Sequence, residues 1–237
     1  MLPAPPKRAT RSVTSQTGEY GVAMSDGRNT DPTGRLFIAV TLPPHVIASL
    51  TAAREEFQAL GIPRLRWVAN SRMHLTLQFL GETRLSQAPL IEEAMHEAAS
   101  GMPSIRLTLA GWGLFSSKPR RARTAARTSG QEQMPRVLWA GLAGDVDELI
   151  GCADRLGGAL ASHDVPSDRK QFRPHITLAR VPHRASPVEC DMLREAVGRI
   201  ATPSAIEFQV AEIHLIHSLL GESPQYRILR SVEFRPA

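Results

Sequence analysis

The stretch around the histidine at position 74 occurs twice in this chain, at a constant spacing of 101 residues. Both copies, His74-Leu75-Thr76-Leu77 and His175-Ile176-Thr177-Leu178, have the pattern His-x-Thr-Leu. The same offset relates further residue pairs outside the motif: Arg35 and Arg136, Ala39 and Ala140, Ile105 and Ile206, and Ser117 and Ser218. Self-similarity at a fixed offset indicates a repeated structural unit. We therefore predict two lobes that are related by a pseudo-two-fold axis.

Each half has the same order of predicted elements: strand, helix, histidine strand, helix, strand. In the first half, Arg35–Leu42 is an apolar run typical of a buried strand, and His45–Leu60 and Ala88–Ala99 have the helical spacing of apolar residues. In the second half, Asp145 and Ser186 each begin a capping box ahead of a helix. Further strands are predicted over Leu65–Ala69, Ile105–Ala110, Val137–Leu142, Phe172–Arg180, Ile206–Leu215 and Tyr226–Phe234.

The polar face of the two histidine strands carries the candidate chemistry. Side chains alternate between the faces of a strand, so His74 shares a face with Thr76, and His175 shares one with Thr177. One His-x-Thr strand is common by chance, but a pseudo-two-fold axis would bring two imidazoles and two hydroxyls together across a cleft. With an ordinary pKa of about 6.5, one imidazole can act as a base and the other as an acid. Displacement at phosphorus uses such a pair, with the hydroxyls donating to the nonbridging oxygens, and this scheme requires no metal.

Composition narrows the setting of the protein. A formal net charge of +5 over 237 residues suits an anionic partner. The two cysteines, Cys152 and Cys190, have neither disulfide-framework nor zinc-site spacing, so we expect reduced thiols and a cytoplasmic protein. No apolar run approaches the roughly 18 residues that a membrane span needs.

Two polar segments stand apart from these elements. Residues 1–33 are rich in Pro, Ser, Thr, Gly and Arg, and cannot bury enough apolar surface to offset the entropy lost on ordering. We predict a disordered N-terminal extension there and one folded domain over residues 34–237. A second segment, 116–134, is either a solvated insertion or a clamp for phosphates. Its basic residues are Lys118, Arg120, Arg121, Arg123 and Arg127.

The surroundings of the two motifs resemble a known family. Besides the histidine strands, the matching residues are Arg35-Leu36-Phe37-Ile38-Ala39-Val40, Trp67, Phe79-Leu80-Gly81, Pro135-Arg136-Val137-Leu138-Trp139, Phe172-Arg173-Pro174, Ala179-Arg180, Ser218, Gly221 and Tyr226. Over residues 35–234 the chain resembles the 2H phosphoesterase superfamily, and in particular its RNA 2′,3′-cyclic phosphodiesterase branch, historically called 2′-5′ RNA ligase. The N-terminal extension and the long basic segment depart from the family pattern. We expect an α+β fold of two pseudo-two-fold-related lobes, each an antiparallel sheet with helices on its outer face, with the catalytic cleft between the lobes.

The resemblance implies a role for each candidate residue. His74 would protonate the leaving O3′ and His175 would activate water, so that a 2′,3′-cyclic phosphate opens to a 2′-phosphate; the symmetry of the motifs alone permits the opposite assignment. Thr76 and Thr177 would hold the phosphoryl oxygens. Arg180, five residues after His175, would neutralise phosphate charge, and the first half has Phe79 at the equivalent place. Two roles stay open for Phe37 and Trp139: stacking on a base, or packing in the core.

Three candidate functions remain. The favoured one is metal-independent hydrolysis of RNA 2′,3′-cyclic phosphate ends or of small cyclic nucleotides, with no cofactor, no membrane, no obligate protein partner and no need for more than a monomer. The second is reversible 2′-5′ RNA ligation by the same histidines, and the third is a nonenzymatic RNA-binding module. The absence of a nucleotide-binding glycine motif argues against an ATP-dependent ligase. His214 and His217 are three apart, on opposite faces of a strand, which argues against a zinc pair.

Overall fold

Nine strands and four α-helices make up the part of the chain that the computed structural model describes, which comprises residues 31–62, 64–116, 134–168, 170–202, 206–219, 221 and 224–236. The strands are β1 (Thr33–Thr41), β2 (Arg66–Trp67), β3 (His74–Arg84), β4 (Ile105–Ser116), β5 (Pro135–Gly144), β6 (Ile176–Arg180), β7 (Glu207–Val210), β8 (Glu212–Leu219) and β9 (Gln225–Glu233). The helices are α1 (Pro44–Ala59), α2 (Ala88–Ala99), α3 (Val146–Ser162) and α4 (Pro187–Arg199).

The two predicted polar segments fall mostly outside the described residues. This holds for residues 1–30 of the predicted extension and for residues 117–133 of the basic segment. Asp31 and Pro32 are held against the end of β3: the amide of Leu85 donates to the carbonyl oxygen of Pro32 at 2.8 Å, and the hydroxyl of Ser86 donates to the carboxylate of Asp31. Among the described residues, no helix has both the length and the apolar character to cross a membrane.

The strands form one curled sheet in the order β7-β4-β5-β6-β3-β1-β8-β9, with β2 paired to β6. Every pair of these strands is antiparallel. Only Ala211 separates β7 from β8, so the pairing of β7 with β4 brings the two ends of the curl together. The predicted α+β class is confirmed, and the sheets of the two lobes are joined edge to edge.

Two strand pairs lie on the predicted pseudo-two-fold axis. Leu75 pairs with Ile176 where β3 meets β6, and Leu107 pairs with Phe208 where β4 meets β7. The members of each pair are 101 residues apart, so each residue faces its own counterpart, as an antiparallel pair on a two-fold axis requires. Among the described strands, β4 from the first half of the sequence pairs only with β5 and β7 of the second half, while β8 lies between β1 and β9.

The helices pack their apolar sides onto this sheet to form the main hydrophobic core. Phe57 of α1 is fully buried, and its ring lies 6.4 Å from that of Trp67 and 5.7 Å from that of Trp112, centroid to centroid. Truncating such a residue to alanine costs about 3–5 kcal/mol. The core thus anchors α1 to β2 and β4.

Most predicted elements are present, with three differences that have local causes. Ser186 caps α4 in a full capping box with Glu189, as predicted, but the carboxylate of Asp145 makes no cap to α3 because it accepts the amide of Arg106 at 3.1 Å. The predicted strand Ile206–Leu215 is broken at Ala211. The equivalent position in the first half of the repeat lies in the bulge of β4 between Leu109 and Trp112. The second histidine strand begins at Ile176 rather than at Phe172.

Candidate active site

The β3–β6 junction sets the positions of the predicted catalytic residues. Leu75 and Ile176 are directly paired and fully buried. Extending this antiparallel register by one residue in each direction places His74 opposite Thr177 and Thr76 opposite His175. These four side chains share the face opposite to the buried pair, and all four line one pocket of about 480 Å³. The two histidines occupy a diagonal of this square, for which Cα separations are about 7–8 Å.

Each imidazole is oriented by the same backbone contact. Nδ1–H of His74 donates to the carbonyl oxygen of Arg72 at 2.7 Å, and Nδ1–H of His175 donates to the carbonyl oxygen of Arg173 at 2.6 Å. A carbonyl oxygen only accepts, so this contact fixes the proton on Nδ1 of both rings. Nε2 is therefore the nitrogen that each ring has available, as a base when neutral or as an acid when protonated.

Aromatic rings pack against both histidines, but they come from strands that the repeat does not relate. The ring of His74 lies 4.9 Å from that of Phe37 and 5.3 Å from that of Tyr226. The ring of His175 meets that of Phe115 edge-on, with the centroids 4.8 Å apart. The sequence motif does not identify Phe115, because it lies on β4 and approaches only through the β4–β5 pairing. Tyr226 belongs to the residues that carry the family resemblance, and β9 brings it into the pocket.

Burial and neighbouring cations weaken proton binding by both histidines. Burial lowers the pKa of His74 below its ordinary value, and the charges of His175 and Arg180 lower it further, while the hydrogen bond to Arg72 opposes the shift. Burial likewise lowers the pKa of His175, with the charges of Arg173 and Arg180 adding to the effect and the bond to Arg173 opposing it. Both rings consequently favour the neutral form near pH 7, and a bound anion would favour protonation of either one.

The described pocket lining is cationic. Arg180 of β6 lines the pocket, and Phe79 of β3, its uncharged counterpart in the repeat, lines it as well. Arg35 and Arg72 also line the pocket, and sequence reasoning gave neither of them a role. Arg72 could have been identified from its position two residues before the histidine in both repeats. No aspartate or glutamate lies among the described lining residues, so the pocket is suited to an anion.

Phe37 and Trp139 differ in their placement. Phe37 lines the pocket but is only 3% exposed, since its ring packs among those of His74, Phe79 and Tyr226. Trp139 lies outside this pocket, in an adjoining groove of about 550 Å³, which we call the aromatic groove. The described residues that line the aromatic groove include Thr76, Phe79, Phe115, Trp139, Phe172, Arg173 and His175. The groove thus opens onto the His175 side of the pocket.

His214 of β8 is a buried histidine that is not part of the described pocket lining. Its ring nitrogens contact the hydroxyls of Thr41 at 3.2 Å and Ser231 at 2.9 Å, and Nε2 lies 3.6 Å from a carboxylate oxygen of Glu212. The ring of His217 packs instead over Gly34. Among the described residues, no three His, Cys, Asp or Glu side chains are grouped as metal ligands.

The geometry defines a class of protein. Two imidazoles with available Nε2 atoms, two hydroxyls on the same face and a cationic wall are the groups that acid–base displacement at phosphorus uses. They occur here on the paired strands of an internally duplicated α+β fold. Together the fold and the site are those of a two-histidine phosphoesterase.

Comparison with known proteins identifies the family. The sequence model of the LigT-like phosphoesterases matches residues 40–125 and 143–226, one segment in each half of the chain. The RNA 2′,3′-cyclic phosphodiesterase of Aeropyrum pernix is 30% identical over 190 residues, covering 79% of this chain and 96% of the relative. The enzyme of the same name from Thermotoga maritima is 29% identical over 201 residues, covering 84% and 95%. The chain belongs to the LigT-like phosphoesterase family.

Solved structures agree with this membership. The protein TT0787 of Thermus thermophilus superposes with a TM-score of 0.63 at 27% identity, covering 85% of this chain and 98% of that one. LigT of E. coli complexed with 3′-AMP gives a TM-score of 0.59 at 24% identity, covering 85% and 98%, which establishes likeness of fold. The family model and the curated relatives thus confirm the resemblance to the 2H phosphoesterases noted in the sequence.

Proposed function

We propose that this protein hydrolyses the 2′,3′-cyclic phosphate at RNA 3′ ends, or in small cyclic nucleotides, to a 2′-phosphate without a metal ion. The observation that carries the proposal is the diagonal pair of imidazoles on β3 and β6, each with Nδ1 bound to a backbone carbonyl and Nε2 available. The names of the curated relatives from Aeropyrum pernix and Thermotoga maritima agree with this substrate.

In the proposed reaction, each imidazole moves one proton. Nε2 of neutral His175 takes a proton from water as its oxygen forms a bond to phosphorus. The bond from phosphorus to O3′ breaks, and Nε2–H of protonated His74 gives its proton to O3′, which leaves the 2′-phosphate. Burial and neighbouring positive charges lower the pKa of both histidines, so the choice of His175 as the base and His74 as the acid is the one that the family resemblance implies.

The hydroxyls and Arg180 stabilise charge during this step. Thr76 and Thr177 line the pocket on the strand face of the histidines, where their hydroxyls can donate to the nonbridging oxygens. Arg180 lines the same pocket and offsets the negative charge of the phosphate. In this scheme side chains carry out both proton transfers and stabilise the negative charge of the phosphate.

The finding that Cys152 and Cys190 are free and buried supports a cytoplasmic location.

A single incubation tests the function. An oligonucleotide that ends in a 2′,3′-cyclic phosphate is mixed with the protein in excess chelator, and the product is identified by its sensitivity to enzymes that distinguish 2′- from 3′-phosphates. We expect a 2′-phosphate, with a rate that falls about 10²- to 10⁴-fold in either His74→Ala or His175→Ala. His96→Ala, an exposed histidine on α2, is the matched control. Loss of activity in chelator would contradict metal independence, and binding without turnover would favour an RNA-binding module.

The aromatic groove favours ligation as a second candidate function. It shares His175 and Thr76 with the pocket and offers the rings of Phe115 and Trp139. A nucleoside stacked there would place its 5′-hydroxyl where water is activated, and microscopic reversibility then permits 2′-5′ bond formation. Adding a 5′-hydroxyl oligonucleotide to the same incubation and comparing joined with hydrolysed product decides between the two. Product that stays entirely hydrolysed at millimolar acceptor would exclude ligation.

A further inference from the structure

A second cationic concavity adjoins the catalytic pocket on the side of Arg180. It has a volume of about 780 Å³ and shares Arg180 and Val137 with the pocket. We call it the arginine groove, because its described lining contains five arginines and one histidine: Arg64, Arg66, Arg136, Arg180, His183 and Arg184. The three other lining residues are Val137, Val181 and Pro182, and none is acidic.

Strand pairing concentrates this charge. Arg66 of β2 pairs directly with Arg180 of β6, and Val137 of β5 pairs with Arg180 from the other side. Residues that are directly paired across strands point to the same face, and like charges at such positions repel. The fold thus holds two guanidinium groups side by side next to the pocket, an arrangement that a bound anion would relieve.

Carboxylates of the described residues neutralise little of this charge. Arg64 lies 3.6 Å from a carboxylate oxygen of Glu189, whose other oxygen accepts the amide of Ser186. Within the described ranges, no carboxylate lies within 4.0 Å of Arg66, Arg180 or Arg184.

The other two arginines add charge and a strained backbone. One guanidinium nitrogen of Arg136 donates to the carbonyl oxygen of Pro182 at 3.2 Å, while its Nε is buried without a partner. Arg64 has a φ of 65°, a left-handed conformation that residues other than glycine rarely adopt and that tends to occur at functional sites. The groove is therefore more than a solvated basic face, because Arg64 and Arg136 are held in costly positions.

We propose that the arginine groove binds the backbone phosphates of the RNA strand upstream of the cyclic end. This inference rests on the proposed hydrolysis of RNA ends, and it adds that a longer RNA is the preferred substrate. A cyclic mononucleotide fills only the catalytic pocket, whereas an oligonucleotide carries further phosphates that can extend past Arg180. The planar guanidinium fork matches phosphate oxygens in pairs.

The test compares substrates of two lengths at several salt concentrations. Values of kcat/KM are measured for cytidine 2′,3′-cyclic phosphate and for an octanucleotide with the same cyclic end. The variant is Arg66→Gln with Arg184→Gln, which leaves Arg180 in place. The matched control is Arg106→Gln with Arg155→Gln, which removes the same charge from exposed positions outside the described groove lining.

Two results are expected. In the wild type, the octanucleotide has the higher kcat/KM, and the advantage falls as salt rises. In the groove variant, the ratio of kcat/KM for the octanucleotide to that for the mononucleotide falls about tenfold. The slope of the logarithm of this ratio against the logarithm of the salt concentration becomes shallower by about 1.4, because each lost phosphate contact accounts for about 0.7. The control variant keeps the wild-type ratio and slope.

The outcomes separate this inference from the proposed function. Equal ratios and slopes for the groove and control variants would overturn the inference and leave the hydrolysis intact. If the wild type cleaves neither substrate, the hydrolysis fails, and the groove is then tested by the fluorescence anisotropy of a labelled octanucleotide with a 3′-phosphate. In that measurement an affinity for the groove variant equal to that of the control overturns the inference, and an affinity about tenfold lower supports it.

Discussion

Exchanging the leaving group should separate the roles of the two histidines. O3′ of a ribose leaves as a poorly stabilised alkoxide, so its departure depends on the proton from His74. A p-nitrophenolate ion leaves without one. We therefore expect His74→Ala to be impaired on a 2′,3′-cyclic nucleotide and nearly normal on bis(p-nitrophenyl) phosphate, whereas His175→Ala is impaired on both, because each substrate needs activated water.

The size of the effect follows from the geometry of the site. Each ring uses Nδ1–H on a backbone carbonyl, at 2.7 Å for His74 and 2.6 Å for His175, and so has one nitrogen left for one proton transfer. A positioned acid or base contributes about 10²- to 10⁴-fold, or about 2.7–5.4 kcal/mol of transition-state stabilisation. His74→Ala should lose that factor on the cyclic nucleotide and less than about tenfold on the aryl diester.

The assay measures kcat/KM for both substrates with the wild type, both single variants and the double variant. Circular dichroism verifies that each variant is folded. The double variant should be hardly worse than His175→Ala on the cyclic nucleotide, since residues that act as a unit are not additive. Equal losses on the two substrates for His74→Ala would refute its role as the acid, and rescue of His175→Ala by the aryl leaving group would reverse the assignment.

Three further predictions concern electrostatics and packing. Because the pKa of each histidine is lowered, kcat/KM should be maximal below pH 6.5. The charge of Arg180 depresses the pKa of both rings, so Arg180→Gln should move that maximum to higher pH while lowering activity. A shift of the maximum to lower pH would contradict this. A Cβ on Gly113 would come within 2.1 Å of the indole ring of Trp139, so Gly113→Ala should destabilise the fold by about 1–3 kcal/mol in urea titrations. At Gly158 an added Cβ would have no neighbouring atom within 4 Å among those of the described residues, so Gly158→Ala should not destabilise the fold. Burial lowers the pKa of His214, with Glu212 opposing, so the unfolded chain binds this proton more readily and stability is lost as pH falls below 6.5. His214→Gln should reduce the slope of unfolding free energy against pH by up to about 1.4 kcal/mol per unit in that window, as measured by urea titration at several pH values, and an unchanged slope would show that His214 does not titrate there.

The residues that the repeat relates were predictable from the sequence. The constant offset of 101, combined with the alternation of side chains in a strand, brings His74, Thr76, His175 and Thr177 to one face, and the structure pairs their strands at residues that are themselves 101 apart. The role of Arg180 was instead implied by the family resemblance, and the repeat comparison added only that its counterpart is Phe79. Local and periodic signals are sufficient where the partners are related by symmetry.

The remaining site residues depend on contacts that no periodic pattern encodes. Phe115 reaches His175 through the β4–β5 pairing, and Arg66 reaches Arg180 through a strand of two residues. Asp145 satisfies the sequence rule for a helix cap, yet a tertiary partner, the amide of Arg106, takes its carboxylate. Trp139 pairs with Thr177 of the histidine strand, but its ring lies over Gly113 and 5.2 Å from the ring of Phe115, in the adjoining groove.

The placement of β4 among the strands of the other half has a consequence for how a substrate can be oriented. In a polypeptide that contained one half alone, β4 would have no partner strand and the histidine would face no second histidine. Two copies that exchanged β4 would restore the strand pairing and the histidine pair. Such a pair would be truly symmetric, so a phosphate could bind either way round and each histidine would serve equally as acid or base. Covalent linkage removes that degeneracy, because the position five residues after the histidine is Phe79 in one half and Arg180 in the other. The single chain therefore gives the cleft a direction, which a dimer of identical halves could not have.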